Sequence, residues 1–223
     1  MINSKRFFPS PLRGGVGRGY WSVVRFFIIN LLSLSPLYAQ SSWPPQLGKI
    51  FPDTEFIDQE GQHLRIPDFK GKVIVVEYIG MNCPACQAFS GADKPGIGPF
   101  EHNDVQHDLS TLEDALPRSS PGVSLFDDGI IFVQVLLYDM KMGATKPDDA
   151  KHWAEHFKMN EKPKKVYVVV PTEDLRGDGS YNLIPGFHLV DKNLIVRSDS
   201  AGHSPKQNLY TQLFPLVAQL LKE

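Results

Sequence analysis

The chain of 223 residues contains two cysteines, and both lie in the run Cys83-Pro84-Ala85-Cys86. This run follows residues 72–79, a short apolar stretch rich in β-branched side chains that ends at Gly80 and predicts a buried strand. Two cysteines separated by two residues can form a reversible disulfide, and a position between a strand and a helix is typical of a redox dithiol. The pattern therefore indicates thiol–disulfide chemistry at the exit of a strand.

The two cysteines are expected to have different roles. A thiol attacks a disulfide as its thiolate, and a free cysteine is mostly protonated near neutral pH. If a helix begins at Cys83, Pro84 occupies its first turn, where the missing N–H costs nothing. The unpaired N–H groups and the dipole of that helix then stabilise a negative charge on the Cys83 sulfur. Cys86 lies one turn further on and is expected to be more buried, so we predict Cys83 as nucleophile and Cys86 as resolving thiol.

Glu77 is the second candidate for chemistry, because it lies six positions before Cys83 in an otherwise apolar strand. An ionised carboxylate is costly to bury there, so burial is expected to raise its pKa. A carboxyl group with a raised pKa suits the transfer of a proton to and from Cys86. The alternative is that Glu77 faces a polar pocket or the edge of the sheet.

The remaining elements alternate between strand and helix before a late hairpin. Turn residues and apolar patterns predict hairpins over residues 56–66 and 187–196 and buried strands over 129–138 and 166–170. Helices are predicted over residues 145–157 and from Ser204-Pro205 to the end. Pro215 is expected to kink the last helix or to mark a later start of it. This order predicts an α/β fold with a mixed central sheet flanked by helices and with an N-terminal β-hairpin.

Residues 91–129 interrupt the alternation after the predicted dithiol helix. They hold many turn formers, beginning with Ser90-Gly91 and Lys94-Pro95-Gly96, which shorten that helix to about two turns. One further helix is predicted over residues 105–116. We interpret residues 91–129 as an insertion in the domain.

The first 39 residues carry five basic and no acidic side chains, followed by an apolar stretch at 26–32 and a small residue, Ala39. This order is typical of a secretory signal peptide, with a short uncleaved anchor as the alternative. Residues 40–47 read as a linker and 48–223 as one domain. With 23 basic and 25 acidic residues in all, the chain after residue 39 keeps 18 basic groups and a net charge of −7, which does not favour nucleic acid as a partner. We expect an exported monomer in a bacterial periplasm or cell envelope, where two cysteines can be oxidised.

A proline near the late hairpin completes the set of candidates. Pro185, in the run Leu183-Ile184-Pro185-Gly186, could form an ordinary turn, and a cis peptide there would bring the Ile184 backbone beside the dithiol. Strand, Cys-x-x-Cys, helix, a carboxylate six residues before the first cysteine, and this proline ahead of residues 187–191 together resemble the thioredoxin superfamily. The hairpin of residues 56–69 followed by Lys70-Gly71-Lys72-Val73 resembles its redoxin branch (AhpC/TlpA type), over about residues 47–221.

The resemblance implies a thioredoxin-like fold and a thiol–disulfide oxidoreductase that acts on protein thiols and disulfides. It implies that Cys83 and Cys86 form the redox pair, that Glu77 is the buried acid, and that Pro185 is a cis-proline. Ile184 and Pro185, with Pro84 and Ala85 between the cysteines, would then contact the substrate. No cofactor is required, because the dithiol carries the electrons, and a membrane or periplasmic redox partner is implied.

Two positions depart from the family pattern. Asn82 stands where a tryptophan is frequent, and Ile79 replaces a usual aromatic residue. Both positions shape the substrate platform in the family, so the identity of the partner does not follow from the resemblance. Pro84 comes first and Ala85 second between the cysteines, which leaves the direction of electron flow open.

Three other readings of the cysteines remain. A structural disulfide would close a very small loop and stabilise little through chain entropy. A thiol peroxidase would keep the fold, although Gly80 stands where peroxiredoxins carry a threonine. A copper-binding protein or metallochaperone would need a third ligand, for which His188 and His203 are candidates, each also explained as a surface or hairpin histidine. His152 and His156 share a helix face but lack a further zinc ligand.

Overall fold

The computed structural model of the protein describes residues 42–164 and 166–223. Seven strands form one mixed sheet in the order β2-β1-β5-β4-β3-β6-β7. The strands are β1 (Glu55–Asp58), β2 (His63–Arg65), β3 (Val73–Gly80), β4 (Ile130–Tyr138), β5 (Val166–Pro171), β6 (Gly186–Val190) and β7 (Val196–Ala201). The α/β class, the mixed sheet and the N-terminal hairpin that the sequence predicts are therefore confirmed.

Strand β3 lies inside the sheet, between β4 and β6. It runs parallel to β4 and antiparallel to β6, and β4 in turn runs parallel to β5. All eight residues of β3 are buried, which explains why its sequence is apolar throughout rather than alternating. The residues that follow β3 consequently leave the sheet near its middle, at the carboxyl ends of the parallel strands.

Within residues 42–164 and 166–223, five α-helices accompany the sheet: α1 (Pro84–Ser90), α2 (Leu112–Ser119), α3 (Pro147–His156), α4 (Asp178–Tyr181) and α5 (Phe214–Lys222). Helix α1 is as short as the sequence predicts, because Gly91 takes a left-handed conformation (φ 113°) and ends it. Its first residue, Pro84, needs no N–H partner at that position.

Two predicted helix starts are wrong, and in both cases a side-chain cap further along sets the true start. Helix α2 begins at Leu112 rather than near residue 105, because the Thr111 hydroxyl accepts the Asp114 N–H (3.3 Å). Ser204-Pro205 does not cap the last helix. The Asn208 side chain caps a π-helical turn over Leu209–Leu213, and α5 follows with Pro215 in its first turn.

The predicted signal peptide or anchor over residues 1–39, and residues 40–41 of the predicted linker, lie outside the described residues. In the described part of the linker, Trp43 packs on the domain: its Nε1 donates to the Ser180 hydroxyl (2.7 Å) and its ring contacts Tyr78 edge-on. None of the helices within residues 42–164 and 166–223 has the length and apolar character needed to cross a membrane.

Candidate active site

The dithiol lies where β3 gives way to α1. Cys83 is the N-cap of α1, and its N–H donates to the Gly80 carbonyl (2.9 Å). The Cys83 sulfur accepts the backbone N–H of Cys86 (3.3 Å), as the side chain of an N-cap residue does. Both cysteines are free thiols, with Cys83 partly exposed and Cys86 buried. The strand, the short helix and the proline between them thus hold the Cys83 sulfur at a helix N-terminus.

This geometry separates the two thiols electrostatically. The hydrogen bond from the Cys86 thiol lowers the pKa of Cys83 from 9.0 to about 7, against the opposing effect of burial and with help from the N–H groups of Cys86 and Ala85. Burial raises the pKa of Cys86 well above 9.0, and the neighbouring Cys83 and Glu77 raise it further. Near neutral pH Cys83 is therefore about half ionised, whereas Cys86 stays a thiol.

Glu77 is buried inside the sheet rather than at its edge, with 1% of its surface exposed. Burial raises its pKa from 4.5 to about 8, the Gln134 hydrogen bond opposes that rise, and the Cys83 charge adds to it. The bond runs from Gln134 Nε2 on β4 to Glu77 Oε2 (2.8 Å). The alternative that Glu77 faces a polar pocket therefore applies in part. The Gln134 amide faces the carboxyl group, and the interior around it is otherwise apolar.

The Ile184–Pro185 peptide bond is cis, as the family resemblance implies. Ile184, Pro185, Cys83 and Pro84 line a common cleft of about 390 Å³. The Ile184 N–H donates to the Tyr181 carbonyl (3.1 Å), so it is already used within the chain. Of the predicted substrate-contacting residues, Ile184, Pro185 and Pro84 therefore lie together beside the reactive sulfur.

Ala85, the remaining predicted contact, lines a second cleft of about 270 Å³ on the other side of Pro185. The walls of this cleft include Phe89, Phe187 and Tyr210. Next to Pro185, Gly186 has no room for a side chain, since a Cβ there would overlap the Ala201 Cα. The close approach of β7 therefore explains the glycine and holds the proline between the two clefts.

Residues 91–129 contribute to the site in a way that the sequence does not reveal. The Asn103 amide donates to the Asn82 carbonyl (2.8 Å), and the Gln106 N–H donates to the Pro84 carbonyl (3.3 Å). Both acceptors belong to the short stretch around Cys83. This segment therefore buttresses the dithiol and forms one wall of the second cleft, through Gln106 and Leu109.

A second cluster of buried polar side chains is formed by residues of β3, β6 and β7. The His188 Nδ1 accepts from the Tyr78 hydroxyl (2.8 Å), and its Nε2 lies 3.1 Å from Asp199 Oδ1. Burial acts to raise the pKa of Asp199, but the adjacent His188 ring and the Lys206 ammonium group, which donates to Asp199 Oδ2 (2.7 Å), outweigh it and leave that pKa far below its usual 3.8. His188 is fully buried in the β6–β7 hairpin, so of the two explanations offered for it, surface or hairpin histidine, the hairpin one applies.

The other histidines do not assemble around the cysteines as ligands would. His203 lines the cleft of Cys83, but within the described ranges no three side chains of His, Cys, Asp or Glu are grouped so that they could hold a metal ion. His156 Nε2 lies 3.0 Å from the Gly98 carbonyl rather than beside His152 in a shared site.

No family model matches the chain, and no curated protein matches its sequence. Solved structures do match it. A candidate electron transfer protein from Aquifex aeolicus VF5 is 15% identical, covers 79% of this chain and 98% of its own, and gives a TM-score of 0.51. A candidate electron transport protein from the same organism is 14% identical, over 79% of this chain and 99% of that one, with a TM-score of 0.52.

The thioredoxin domain of a thiol-disulfide oxidoreductase from Bacteroides vulgatus is 18% identical, over 78% of this chain and 99% of that one, with a TM-score of 0.47. The two matches from Aquifex aeolicus, with TM-scores above 0.5, show a likeness of fold and leave the reaction to the site. The chain has a thioredoxin-like fold, in which a Cys-x-x-Cys pair follows an inner strand and a cis-proline lies beside it.

Proposed function

We propose that the protein is a thiol–disulfide oxidoreductase that exchanges disulfides with other proteins through Cys83 and Cys86. The observation that carries this proposal is the difference between the two thiols. Cys83 is partly exposed with a pKa of about 7, whereas Cys86 is buried with a pKa well above 9.0. An accessible thiolate can attack a partner disulfide, and the protonated thiol behind it can then resolve the mixed disulfide that forms.

In the first step, the Cys83 thiolate attacks one sulfur of a partner disulfide, and the other partner sulfur leaves as a thiolate. In the second step, Cys86 loses its proton and attacks Cys83, so that the Cys83–Cys86 disulfide forms and the partner is released as a thiolate. Glu77 is suited to accept the Cys86 proton, because its own pKa of about 8 lies near the working pH. Run backwards, the same two steps oxidise a partner dithiol.

The clefts on either side of Pro185 support a protein rather than a small molecule as the substrate. Among the described residues, four large apolar side chains are more than a third exposed. Met142 and Tyr181 line the first cleft, and Tyr210 lines the second. Exposed apolar side chains gathered beside a reactive thiolate favour an extended polypeptide that crosses the site with its disulfide over Cys83.

The test is disulfide reduction with insulin as substrate and dithiothreitol as electron source. Cys83→Ser is expected to abolish the activity, and Cys86→Ser is expected to stop after the first step with the partner attached to Cys83, detectable as an added mass. A Cys83→Ser protein that reduces insulin at the unaltered rate would disprove the mechanism. Ser124→Ala, which lies away from the dithiol, is the control for substitution itself.

We further propose that the protein works outside the cytoplasm, in a bacterial periplasm or cell envelope, which residues 1–39 support by their pattern. Expression of the full chain in a bacterium, followed by cell fractionation and N-terminal sequencing, tests this. A new N-terminus after Ala39 is expected in the exported fraction. Retention of the whole chain in the cytoplasm would refute the proposal.

The direction of electron flow follows from the reduction potential of the Cys83–Cys86 couple, measured by equilibration with glutathione. A value near about −120 mV would make the protein an oxidant, and a value of about −200 mV or lower would make it a reductant that needs a supply of electrons.

A further inference from the structure

Gln134 makes the one direct hydrogen bond that the structure shows to the Glu77 carboxyl group. Its Nε2 donates to Glu77 Oε2 (2.8 Å) and also to the Ser90 hydroxyl (3.0 Å). An amide nitrogen carries two hydrogens, so both are committed. The two acceptors hold the amide in one orientation, with its nitrogen towards the carboxyl group.

The fold delivers these three side chains from three elements. Glu77 and Gln134 are direct neighbours in the parallel pairing of β3 with β4. Ser90 lies four residues after Cys86 in α1, so both face the sheet from the same side of that helix. The Gln134 amide therefore ties the carboxyl group to the helix that carries the resolving thiol.

The second oxygen of the Glu77 carboxyl group, Oε1, differs from Oε2 in its hydrogen bonding. Glu77 Oε1 is buried and has no hydrogen-bond partner within residues 42–164 and 166–223. A buried negative charge on an oxygen without a hydrogen-bond partner is costly, and a proton that binds to this oxygen removes the charge. Oε2 is occupied as an acceptor, so Oε1 is the oxygen that is free to take a proton.

We propose that Gln134 is a positioning residue for the second step of the reaction, where it holds the Glu77 carboxylate so that Oε1 receives the proton of Cys86. This inference rests on the proposed function. In this step the Cys86 S–H bond breaks and an O–H bond forms at Glu77 Oε1. The Cys86 sulfur then attacks Cys83, the Cys83–partner bond breaks, and the partner thiolate carries away the electron pair.

The direction of the effect follows from the charges around Glu77. The titratable groups that act on it are the two cysteines, and its neighbours across the sheet, Gln134 and Phe187, carry no charge. The Gln134 N–H is therefore the stabilising contact of the ionised carboxyl group. Without it, less of Glu77 is ionised at neutral pH and less is available to take the proton.

The experiment separates the two steps by reacting the reduced full chain with a symmetric aromatic disulfide that releases coloured thionitrobenzoate. The first release reports the attack by Cys83, and the second reports the attack by Cys86 on the mixed disulfide. Each rate is measured as a function of pH. Gln134→Leu is expected to shift the pH profile of the second release to higher pH by roughly one to two units, as the loss of a hydrogen bond to a charged group implies.

The matched control is Gln59→Leu, which removes another buried glutamine, bonded to the Val166 carbonyl and the Val168 N–H far from the dithiol. It is expected to lower stability without moving the second profile. If Gln134→Leu does not fold, Gln134→Met repeats the measurement with an unbranched side chain of similar length.

The outcomes distinguish this inference from the function on which it rests. A second profile that shifts in the Gln134 variants but not in Gln59→Leu supports the inference. If Glu77→Gln alters the second profile and neither Gln134 variant does, the positioning role is overturned while the dithiol mechanism stands. If the wild-type protein shows no second release at all, the proposed function itself is wrong.

Discussion

Glu77→Gln is expected to make the reduced protein more stable at neutral pH while it slows the second step. The substitution replaces the buried carboxyl group by an amide of the same shape, whose carbonyl can still accept from Gln134. The substitution therefore removes a carboxyl group whose ionised form is unfavourable in the folded protein. The size of the gain can be worked out from the pKa of Glu77, which folding raises from 4.5 to about 8.

Because the pKa is higher in the folded state, the folded protein keeps the Glu77 proton over a pH range in which the unfolded chain has lost it. The unfolded state therefore becomes more favourable as the pH rises from 4.5 to about 8, and the loss levels off above that value. Each pH unit in this range costs about 1.4 kcal/mol, so the loss at pH 7 is about 3 kcal/mol.

The measurement is urea unfolding of the reduced full chain and of Glu77→Gln at several pH values. The variant is expected to exceed the wild type by about 3 kcal/mol at pH 7, or about 6–12 °C in Tm, and the gain should vanish near pH 4. The lowered pKa of Cys83 contributes stability that grows as the pH rises through about 7, and it is present in both proteins, so the difference retains only the part that comes from the repulsion between Cys83 and Glu77.

The pH dependence of the difference is the critical result. A gain that is the same at pH 4 and pH 7, or one that grows towards acid pH, would refute the reasoning, because it could not come from the ionisation of Glu77. A variant that is less stable than the wild type at every pH would mean that the carboxyl group is held by contacts stronger than its burial cost.

Two further predictions concern the side chains around the dithiol. Cys86→Ala is expected to raise the pKa of Cys83 from about 7 towards 9.0, because the Cys86 thiol is the main stabiliser of the Cys83 thiolate. This pKa is measured as the midpoint of the pH dependence of Cys83 alkylation by iodoacetamide, and an unchanged midpoint would contradict the prediction. Tyr78→Phe removes the hydroxyl that bonds to the buried His188 and is expected to lower the free energy of unfolding in urea by about 1–3 kcal/mol. The control Tyr181→Phe changes an exposed side chain and is expected to lower it by less than about 0.5 kcal/mol.

The sequence was sufficient for features that depend on neighbouring residues. The apolar run before Gly80 required a buried strand, and Pro84 between two cysteines required a helix start at the first of them. A carboxylate inside the same run, Glu77, could only be a buried acid, a residue facing a polar pocket or an edge residue. Each inference used local periodicity and turn chemistry, which act over a few residues and are visible in the chain.

Helix boundaries were harder to predict because several polar residues in a row could serve as caps. The side chains of Thr111 and Asn208 act as the caps in the folded chain, and buried apolar residues follow each of them. The polar partners of the buried groups were missed for a related reason. Gln134 is the one polar residue within the apolar run 130–137, but nothing in the neighbouring sequence indicates what its side chain faces.

The sequence by itself therefore determined the position of the cysteine pair, the buried strand that holds Glu77 and the class of fold, because each is a pattern within one segment. Only the tertiary structure decided that Gln134, 57 residues from Glu77, meets its carboxyl group, and that Asn103 supports the loop of Cys83. Such pairings depend on strand order and register, which are set by the packing of the whole core rather than by any stretch of the chain.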